Sequence, residues 1–263
     1  MVKGELMNDN PRPGIAGGVA LVTGAAAGIG AAYCRALAEQ GVDVTVFDLD
    51  GPGAKAQVDA INARGGRSIA VEGDVTDPDS VADAITKTTT AFGAVTILVN
   101  NAALHLHEYA QPCTELALEK WRGLFEVNVT GPRICAEACR DVMAARGGGV
   151  IINQVSVAAY RHGTGGAYGV SKLALCGLTS ALAVEFADLN IRVNGIAPGM
   201  IASEVVLRDT TEEQRASIIN EQLVKRQGQM SDLVSALLFL CSEDASFISG
   251  ETLLVAGGRV RRL

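Results

Sequence analysis

The sequence has no excess of positive charge. Its 22 Lys and Arg residues are outnumbered by 29 Asp and Glu residues, which gives a formal net charge of -7. A surface that neutralises nucleic-acid phosphates or anionic lipids needs the opposite balance. We therefore expect no nucleic-acid partner and no membrane partner. The one basic cluster, at Arg259, Arg261 and Arg262, is expected to be a solvated tail or a subunit contact.

Signatures of disulfides and metal sites are also missing. The six cysteines contain no CxxC pair and no cysteine–histidine spacing of a zinc site, so we expect reduced thiols and no bound metal. His105 and His107 flank one leucine and precede Glu108, which is an incomplete ligand set. A polar pocket wall or a surface loop is the better interpretation of these two histidines.

No Pro-rich or Ser-rich linker interrupts the chain. The one long run without charge, Pro13–Cys34, contains six glycines, which favours a soluble strand and turn over a membrane span. We therefore predict one domain over residues 18–263 of a cytoplasmic protein, preceded by a flexible tail over residues 1–17.

Short apolar runs rich in β-branched residues alternate with helical patterns along the chain. This alternation predicts an α/β fold: a single Rossmann domain with a doubly wound parallel sheet of about seven strands and helices on both faces. The predicted strands are Val19–Thr23, Asp43–Asp48, Ser68–Asp74, Thr96–Asn100, Val150–Ser156, Arg192–Ala197 and Thr252–Val255. Helix starts are predicted at Asp77 before Pro78, at Thr114, and at Ser231-Asp232.

A glycine-rich turn follows the first predicted strand. The segment TGAAAGIG places Gly24, Gly28 and Gly30 between a strand and a helix, where glycines let a backbone approach a pyrophosphate at the helix N-terminus. The spacing differs from the commonest dinucleotide fingerprint, G-x-G-x-x-G. By itself, the turn leaves nucleotide binding and simple tight packing about equally supported.

Asp48 ends the second predicted strand, 18 residues after Gly30. A carboxylate there can bind the ribose 2′-hydroxyl of NAD and repel the 2′-phosphate of NADP. Two unit charges about 4 Å apart repel by roughly 4 kcal/mol at an effective dielectric of about 20. Because no Lys or Arg stands beside Asp48 to offset this repulsion, we predict NAD as the cofactor. A strand-end turn residue is the alternative role for Asp48.

Tyr168 and Lys172 lie four residues apart in AYGVSK, within a helix predicted over Ala167–Ala187. That spacing places them on one helix face. A nearby ammonium favours the phenolate form of a tyrosine, which can then exchange a proton with an alcohol or ketone. Ser156, twelve residues before Tyr168, is placed to hydrogen-bond a substrate oxygen.

These segments, together with NNAA (Asn100–Ala103), VNVTG (Val127–Gly131) and PGMIAS (Pro198–Ser203), resemble the ordered motifs of the short-chain dehydrogenases/reductases. The resemblance spans about Gly18 to Gly258. It implies a catalytic tetrad of Asn128, Ser156, Tyr168 and Lys172. In that tetrad Lys172 also holds the nicotinamide ribose, and Asn128 anchors a water that links Lys172 to solvent.

The glycine turn, Asp48 and the resemblance together give a predicted cofactor site. Its residues are Gly24, Gly28, Ile29, Gly30, Asp48, Asp74, Val75, Asn101, Tyr168, Lys172, Pro198, Ile201 and Ser203. The resemblance also places the substrate pocket beside three loops, whose candidate residues are His105, Tyr160, His162 and Met200. The helical stretch after Ser203 is either a lid over this pocket or an ordinary pair of surface helices.

Three functions remain open on this sequence. The first is an NAD-dependent oxidoreductase that interconverts a small secondary alcohol and its ketone. The second is an acyl-carrier ketoreductase, which usually takes NADPH and is therefore disfavoured by Asp48. The third is a non-catalytic nucleotide-binding or scaffold protein, which is disfavoured by the intact Ser156, Tyr168 and Lys172. The resemblance further implies a homotetramer, or otherwise a homodimer, that pairs the helices near Pro132–Arg146 and Tyr168–Ala187.

Overall fold

The computed structural model describes residues 12, 14–109, 111–161 and 165–260. Its strands are β1 Val19–Thr23, β2 Asp43–Asp48, β3 Ser68–Glu72, β4 Ile97–Asn100, β5 Gly149–Gln154, β6 Ile191–Pro198 and β7 Thr252–Val255. Its helices are α1 Gly28–Glu39, α2 Gly51–Asn62, α3 Pro78–Phe92, α4 Leu106–Tyr109, α5 Leu118–Phe125, α6 Gly131–Ala145, α7 Gly166–Glu185, α8 Glu204–Asp209, α9 Glu212–Glu221 and α10 Met230–Cys241.

The strands form one seven-stranded sheet in the order β3-β2-β1-β4-β5-β6-β7, and every pairing is parallel. Strand order reverses between β1 and β4, because the chain fills one side of β1 before crossing to the other. At such a switch point, loops diverge beyond the carboxyl ends of the strands and leave a crevice for a ligand. The predicted α/β fold, with about seven parallel strands, is confirmed.

Apolar residues cover both faces of the sheet. On one face, α1, α2 and α10 pack on the strands through residues such as Leu37, Val58 and Leu237. On the other face, α3, α6 and α7 pack through residues such as Ile85 and Met143. Central strands are therefore buried on both sides, which explains their continuous apolar sequences.

Helix α7 carries the Tyr168 and Lys172 pair. By length and composition alone it is apolar enough to cross a membrane. Nine of its residues are buried within the fold, however, and a core helix of a soluble protein passes the same test. Its apolar character therefore has an explanation in the packing of the sheet.

The folded part of the chain includes residues just before β1. Ile15 is fully buried in the core, and the Gly17 amide donates to the Gly41 carbonyl at 3.0 Å. Residues 1–11 lie outside the described part of the chain, so the flexible tail stays a prediction there.

Candidate active site

The turn between β1 and α1 is packed tightly at two of its glycines. Gly24 has a φ of +61°, and a Cβ built on it would lie 2.6 Å from the Ala102 Cα atom. A Cβ built on Gly30 would lie 2.3 Å from the Gly24 carbonyl oxygen. The side-chain amide of Asn101 donates to the Thr23 and Gly24 carbonyls at 3.0 and 2.7 Å, which fixes the turn against the end of β4.

Gly28 has a different environment. Its φ is +58°, and a Cβ built on it would meet no atom within 4 Å. The N-cap residue of α1, Ala27, provides no side-chain cap for the first backbone N–H groups of the helix. Unpaired N–H groups and the helix dipole at this end favour an anionic ligand. These residues therefore fit the pyrophosphate of a dinucleotide.

Asp48 stands beside the same turn at the carboxyl end of β2. One carboxylate oxygen accepts from the Ala26 amide at 2.8 Å, and the other accepts from the Asp50 amide at 3.0 Å. Asp48 therefore fixes the turn and still presents its carboxylate to the cavity described next.

A cavity of about 530 Å³ runs along the carboxyl ends of the strands. Nine predicted cofactor residues line it: Gly24, Gly28, Ile29, Asp48, Asp74, Val75, Asn101, Ile201 and Ser203. Gly30, Tyr168, Lys172 and Pro198 do not line it: Gly30 packs beneath the turn, and Pro198 is the last residue of β6. These nine residues therefore meet along one crevice, although they come from five separate segments of the chain.

Much of the cavity wall consists of residues that the motifs did not predict. The additional lining residues are Ala26, Ala27, Phe47, Leu49, Asp50, Gly73, Ala102, Ala103, Leu104, Val127, Gly199 and Val206. Most of them are immediate neighbours of predicted residues, so extending each motif by one or two positions would have found them. Val206, in α8, carries no such signal.

Asn128 lies in a π-helical segment, Glu126–Thr130, between α5 and α6. The residue is fully buried, and its side-chain oxygen accepts from the Leu104 amide at 2.8 Å. Its amide nitrogen donates to the Leu104 carbonyl at 3.2 Å and to the Ser171 hydroxyl at 3.1 Å. Asn128 thus joins the loop after β4 to α7, one residue away from Lys172.

Ser156, Tyr168 and Lys172 come together beyond the carboxyl end of β5. Ser156 caps a short 3-10 turn, Val157–Tyr160, and a hydrogen bond joins its side chain to that of Tyr168. The Lys172 ammonium nitrogen lies 5.7 Å from the centre of the Tyr168 ring and donates to the Gln154 carbonyl at 2.8 Å. Both Tyr168 and Lys172 are buried, at 8% and 2% exposure.

Burial dominates the acidity of this pair. It raises the pKa of Tyr168 to about 12, although the hydrogen bond with Ser156 acts in the opposite direction. It lowers the pKa of Lys172 to about 7. The ammonium therefore does not produce the lowered phenol pKa that sequence analysis expected, because desolvation penalises both charged forms more strongly.

The predicted substrate residues lie in different places. His105 lines the cavity, and burial followed by the nearby Lys172 charge lowers its pKa. Met200 lines a separate cavity of about 340 Å³ with residues of β7. Tyr160 packs toward α7, where its hydroxyl lies 3.1 Å from the Cys176 sulfur. His162 lies outside the described residues.

The fold and these side chains define a class: a Rossmann-fold protein with a dinucleotide cavity beside a Ser–Tyr–Lys centre. A family model described as enoyl-(acyl carrier protein) reductase matches residues 24–259. Human dehydrogenase/reductase SDR family member 4 is 36% identical, over 96% of this chain and 91% of its own. The chain belongs to the short-chain dehydrogenase/reductase family, as its motifs suggested, and is an oxidoreductase.

Two further comparisons concern named dehydrogenases. The cis-4-hydroxycyclohexanecarboxylate dehydrogenase of Sinomonas cyclohexanicum is 36% identical over 91% of this chain and 95% of its own length. A solved 7α-hydroxysteroid dehydrogenase, complexed with NADH and 7-oxo glycochenodeoxycholic acid, superposes with a TM-score of 0.90 at 33% identity. That superposition covers 98% of this chain and 100% of the other.

Proposed function

We propose that this protein is an NAD-dependent oxidoreductase that interconverts a small secondary alcohol and its ketone. The observation that carries the proposal is the Ser156–Tyr168–Lys172 cluster, in which Tyr168 and Lys172 are buried, next to a cavity that Asp48 lines. His105 connects the two regions, since it lines the cavity and lies close enough to Lys172 for the lysine charge to shift its pKa.

Each residue of the cluster has a role in this reaction. Ser156 hydrogen-bonds the substrate oxygen, and Tyr168 exchanges a proton with that oxygen. Lys172 would hold the nicotinamide ribose, and Asn128 would anchor the water through which Lys172 reaches solvent. When bound, the dinucleotide would supply the hydride chemistry, and the positive charge of its oxidised ring would favour the phenolate form of Tyr168.

The direction of proton transfer depends on pH. With a pKa of about 12, the Tyr168 phenol is protonated at neutral pH and can donate to a ketone. Oxidation of an alcohol requires the phenolate instead, so its rate is expected to rise with pH above neutrality.

The other residues of the cavity would hold the dinucleotide. Gly24, Gly28 and Ile29 would hold the pyrophosphate, and Asp48 would bind the adenine ribose. Asp74 and Val75 would contact the adenine, and Ile201 and Ser203 would contact the nicotinamide. A hydroxyl on a saturated ring is a reasonable substrate class, since the names of both comparison dehydrogenases describe one. We further propose a cytoplasmic homotetramer, with a homodimer as the simpler assembly.

The test is a panel of secondary alcohols and ketones with NAD and NADP, followed by the absorbance of the reduced nicotinamide. We expect turnover of at least one ring alcohol with NAD. Tyr168→Phe is expected to lower kcat by about 100-fold to 10,000-fold, the usual contribution of a general acid or base. Thermal unfolding of the variant serves as the control, since loss of the hydroxyl should leave the fold intact. Unchanged turnover in Tyr168→Phe contradicts the proposal.

A further inference from the structure

Residues 204–221, here called the lid, form the helices α8 and α9 directly after the cavity residue Ser203. No residue of α9 is buried. At the start of the lid, the Ala202 amide donates to the Gly228 carbonyl at 2.8 Å. Just beyond its end, the Leu223 and Val224 amides donate to the Gly257 carbonyl at 2.8 and 2.9 Å. The lid is thus fixed at both bases, whereas α9 itself is anchored only through half-buried side chains such as Ile218 and Ile219.

Glu221, the last residue of α9, is bound by two arginines from distant parts of the chain. It accepts from the Arg259 Nε atom at 2.9 Å, and an Arg161 guanidinium nitrogen lies 3.3 Å from the same oxygen. Arg161 follows the 3-10 turn that Ser156 caps, and Arg259 follows β7. One carboxylate therefore joins the lid to the loop between Ser156 and Tyr168 and to the C-terminal segment.

The environment of this cluster makes it sensitive to salt. The hydrogen bond from Arg259 lowers the pKa of Glu221, so the carboxylate is charged at neutral pH. The Glu221 side chain is 47% exposed, against 27% for Arg161 and 13% for Arg259, so dissolved ions reach the carboxylate and partly screen its attraction to both arginines. Since α9 packs only through half-buried side chains such as Ile218 and Ile219, these ion pairs add to what resists its separation from the loop between Ser156 and Tyr168.

We propose that Arg161, Glu221 and Arg259 form a latch that holds the lid closed over the substrate pocket. Breaking the latch frees α9 while the two bases of the lid stay in place. Arg161 and Glu221 are positioning residues, because they act on the walls of the pocket rather than on the reacting atoms. The role of the latch in substrate entry rests on the proposed function. The connection that the latch makes between the lid and the loop after Ser156 does not depend on that function.

Hydrogen exchange of the native protein, followed by mass spectrometry, tests the link without any substrate. In Glu221→Gln, we expect backbone amides of residues 204–221 to exchange about two- to fivefold faster, the range measured for exposed ion pairs. Added salt should speed this exchange in the wild type and have little effect in the variant. Arg161→Gln should give the same regional change.

Asp83→Asn is the matched control, because it removes an exposed pair with Lys87 at 2.7 Å on α3. It should leave exchange in the lid unchanged. Equal lid exchange in the wild type and Glu221→Gln, at low and at high salt, would overturn the latch. Because exchange is measured without turnover, that result would not contradict the proposed oxidoreductase activity. Conversely, a wild-type protein without activity would not contradict the latch.

Discussion

At the scale of single residues, Asp48 combines two tasks. Its oxygens accept from the Ala26 and Asp50 amides, so the carboxylate holds the glycine turn in place. It also lines the cavity, where we propose that it repels a 2′-phosphate. The sequence left a role in the turn and a contact with the cofactor as alternatives for Asp48, but the geometry allows both. Asp48→Ala would therefore disturb the turn and change the cofactor specificity at once, and the two effects could not be separated.

Asp48→Asn separates the two tasks, because an amide keeps one acceptor and removes the charge. We expect the ratio of kcat/KM for NAD to that for NADP to fall by about tenfold, equivalent to roughly 1.4 kcal/mol of repulsion at a partly exposed site. Steady-state kinetics with both cofactors measures this ratio. Asp59→Asn, which disrupts an exposed pair on α2, provides the comparison. A ratio that stays at the wild-type value would show that Asp48 does not discriminate.

The acidity of Tyr168 shows what residue types alone do not reveal. The spacing of Tyr168 and Lys172 correctly predicted their proximity, since one helical turn separates them. The predicted direction of the Tyr168 pKa shift was wrong, because that direction depends on how deeply α7 is buried. The 2% exposure of Lys172 results from packing between segments far apart in sequence.

At the scale of elements, the β1–α1 turn uses its glycines for different reasons. At Gly30, the Gly24 carbonyl leaves no room for a Cβ. At Gly28, the backbone is left-handed and the space beside it is open to the cavity. Glycine is thus required for packing at Gly30, and at Gly28 we propose ligand approach as a reason for it beside the left-handed backbone.

Gly28→Ala and Gly30→Ala should differ accordingly. Gly30→Ala is expected to lower the free energy of unfolding by about 3 kcal/mol, the upper range for overpacking. Gly28→Ala should cost only about 1 kcal/mol for its left-handed φ, yet weaken NADH binding by about tenfold, roughly 1.4 kcal/mol. Urea unfolding and fluorescence titration with NADH measure the two quantities. Wild-type NADH affinity in Gly28→Ala would argue against a dinucleotide at this turn.

Helix starts were predictable where a local signal determines them. Asp77 caps α3 before Pro78, as predicted. Thr114 does not start a helix: α5 begins at Leu118, after Ala117, which makes no side-chain cap. Helix α10 begins at Met230, slightly before the predicted position, because Gln229 and Asp232 form a capping box. The π-helical turn at Asn128 has no sequence signal, since it depends on contacts with Leu104 and Ser171.

At the scale of the whole molecule, alternation of strands and helices was sufficient to predict the sheet and both of its covered faces. The strand ends shifted by one or two residues, as at β5, which begins at Gly149 and ends at Gln154. The cavity was less predictable, because its lining residues are as far apart in sequence as Gly24 and Val206. Parallel strands bring them together at one edge of the sheet. Motifs identified fewer than half of its lining residues, and the fold determined which of the predicted residues share a wall.

Helix α7 has a second face that the described chain leaves uncovered. Val170, Leu173 and Val184 are 42%, 52% and 78% exposed. A Cβ built on Gly177, one turn after Leu173, would meet no atom within 4 Å, so another backbone can approach closely there. Exposed apolar residues beside a small residue are suited to a helix–helix contact between subunits. This supports the part of α7 in the proposed pairing of helices across a two-fold axis.

Leu173→Glu tests that pairing. A two-fold contact places each substitution in the interface twice, so two carboxylates would be buried or brought together. Burying these two carboxylates should cost about 3 kcal/mol. The protein concentration below which the subunits separate should therefore rise roughly 100-fold. Light scattering during gel filtration measures the mass of the assembly. Ala56→Glu, an exposed position on α2 across the sheet, should leave that mass unchanged. An assembly that resists Leu173→Glu would have to be held together by a surface other than α7.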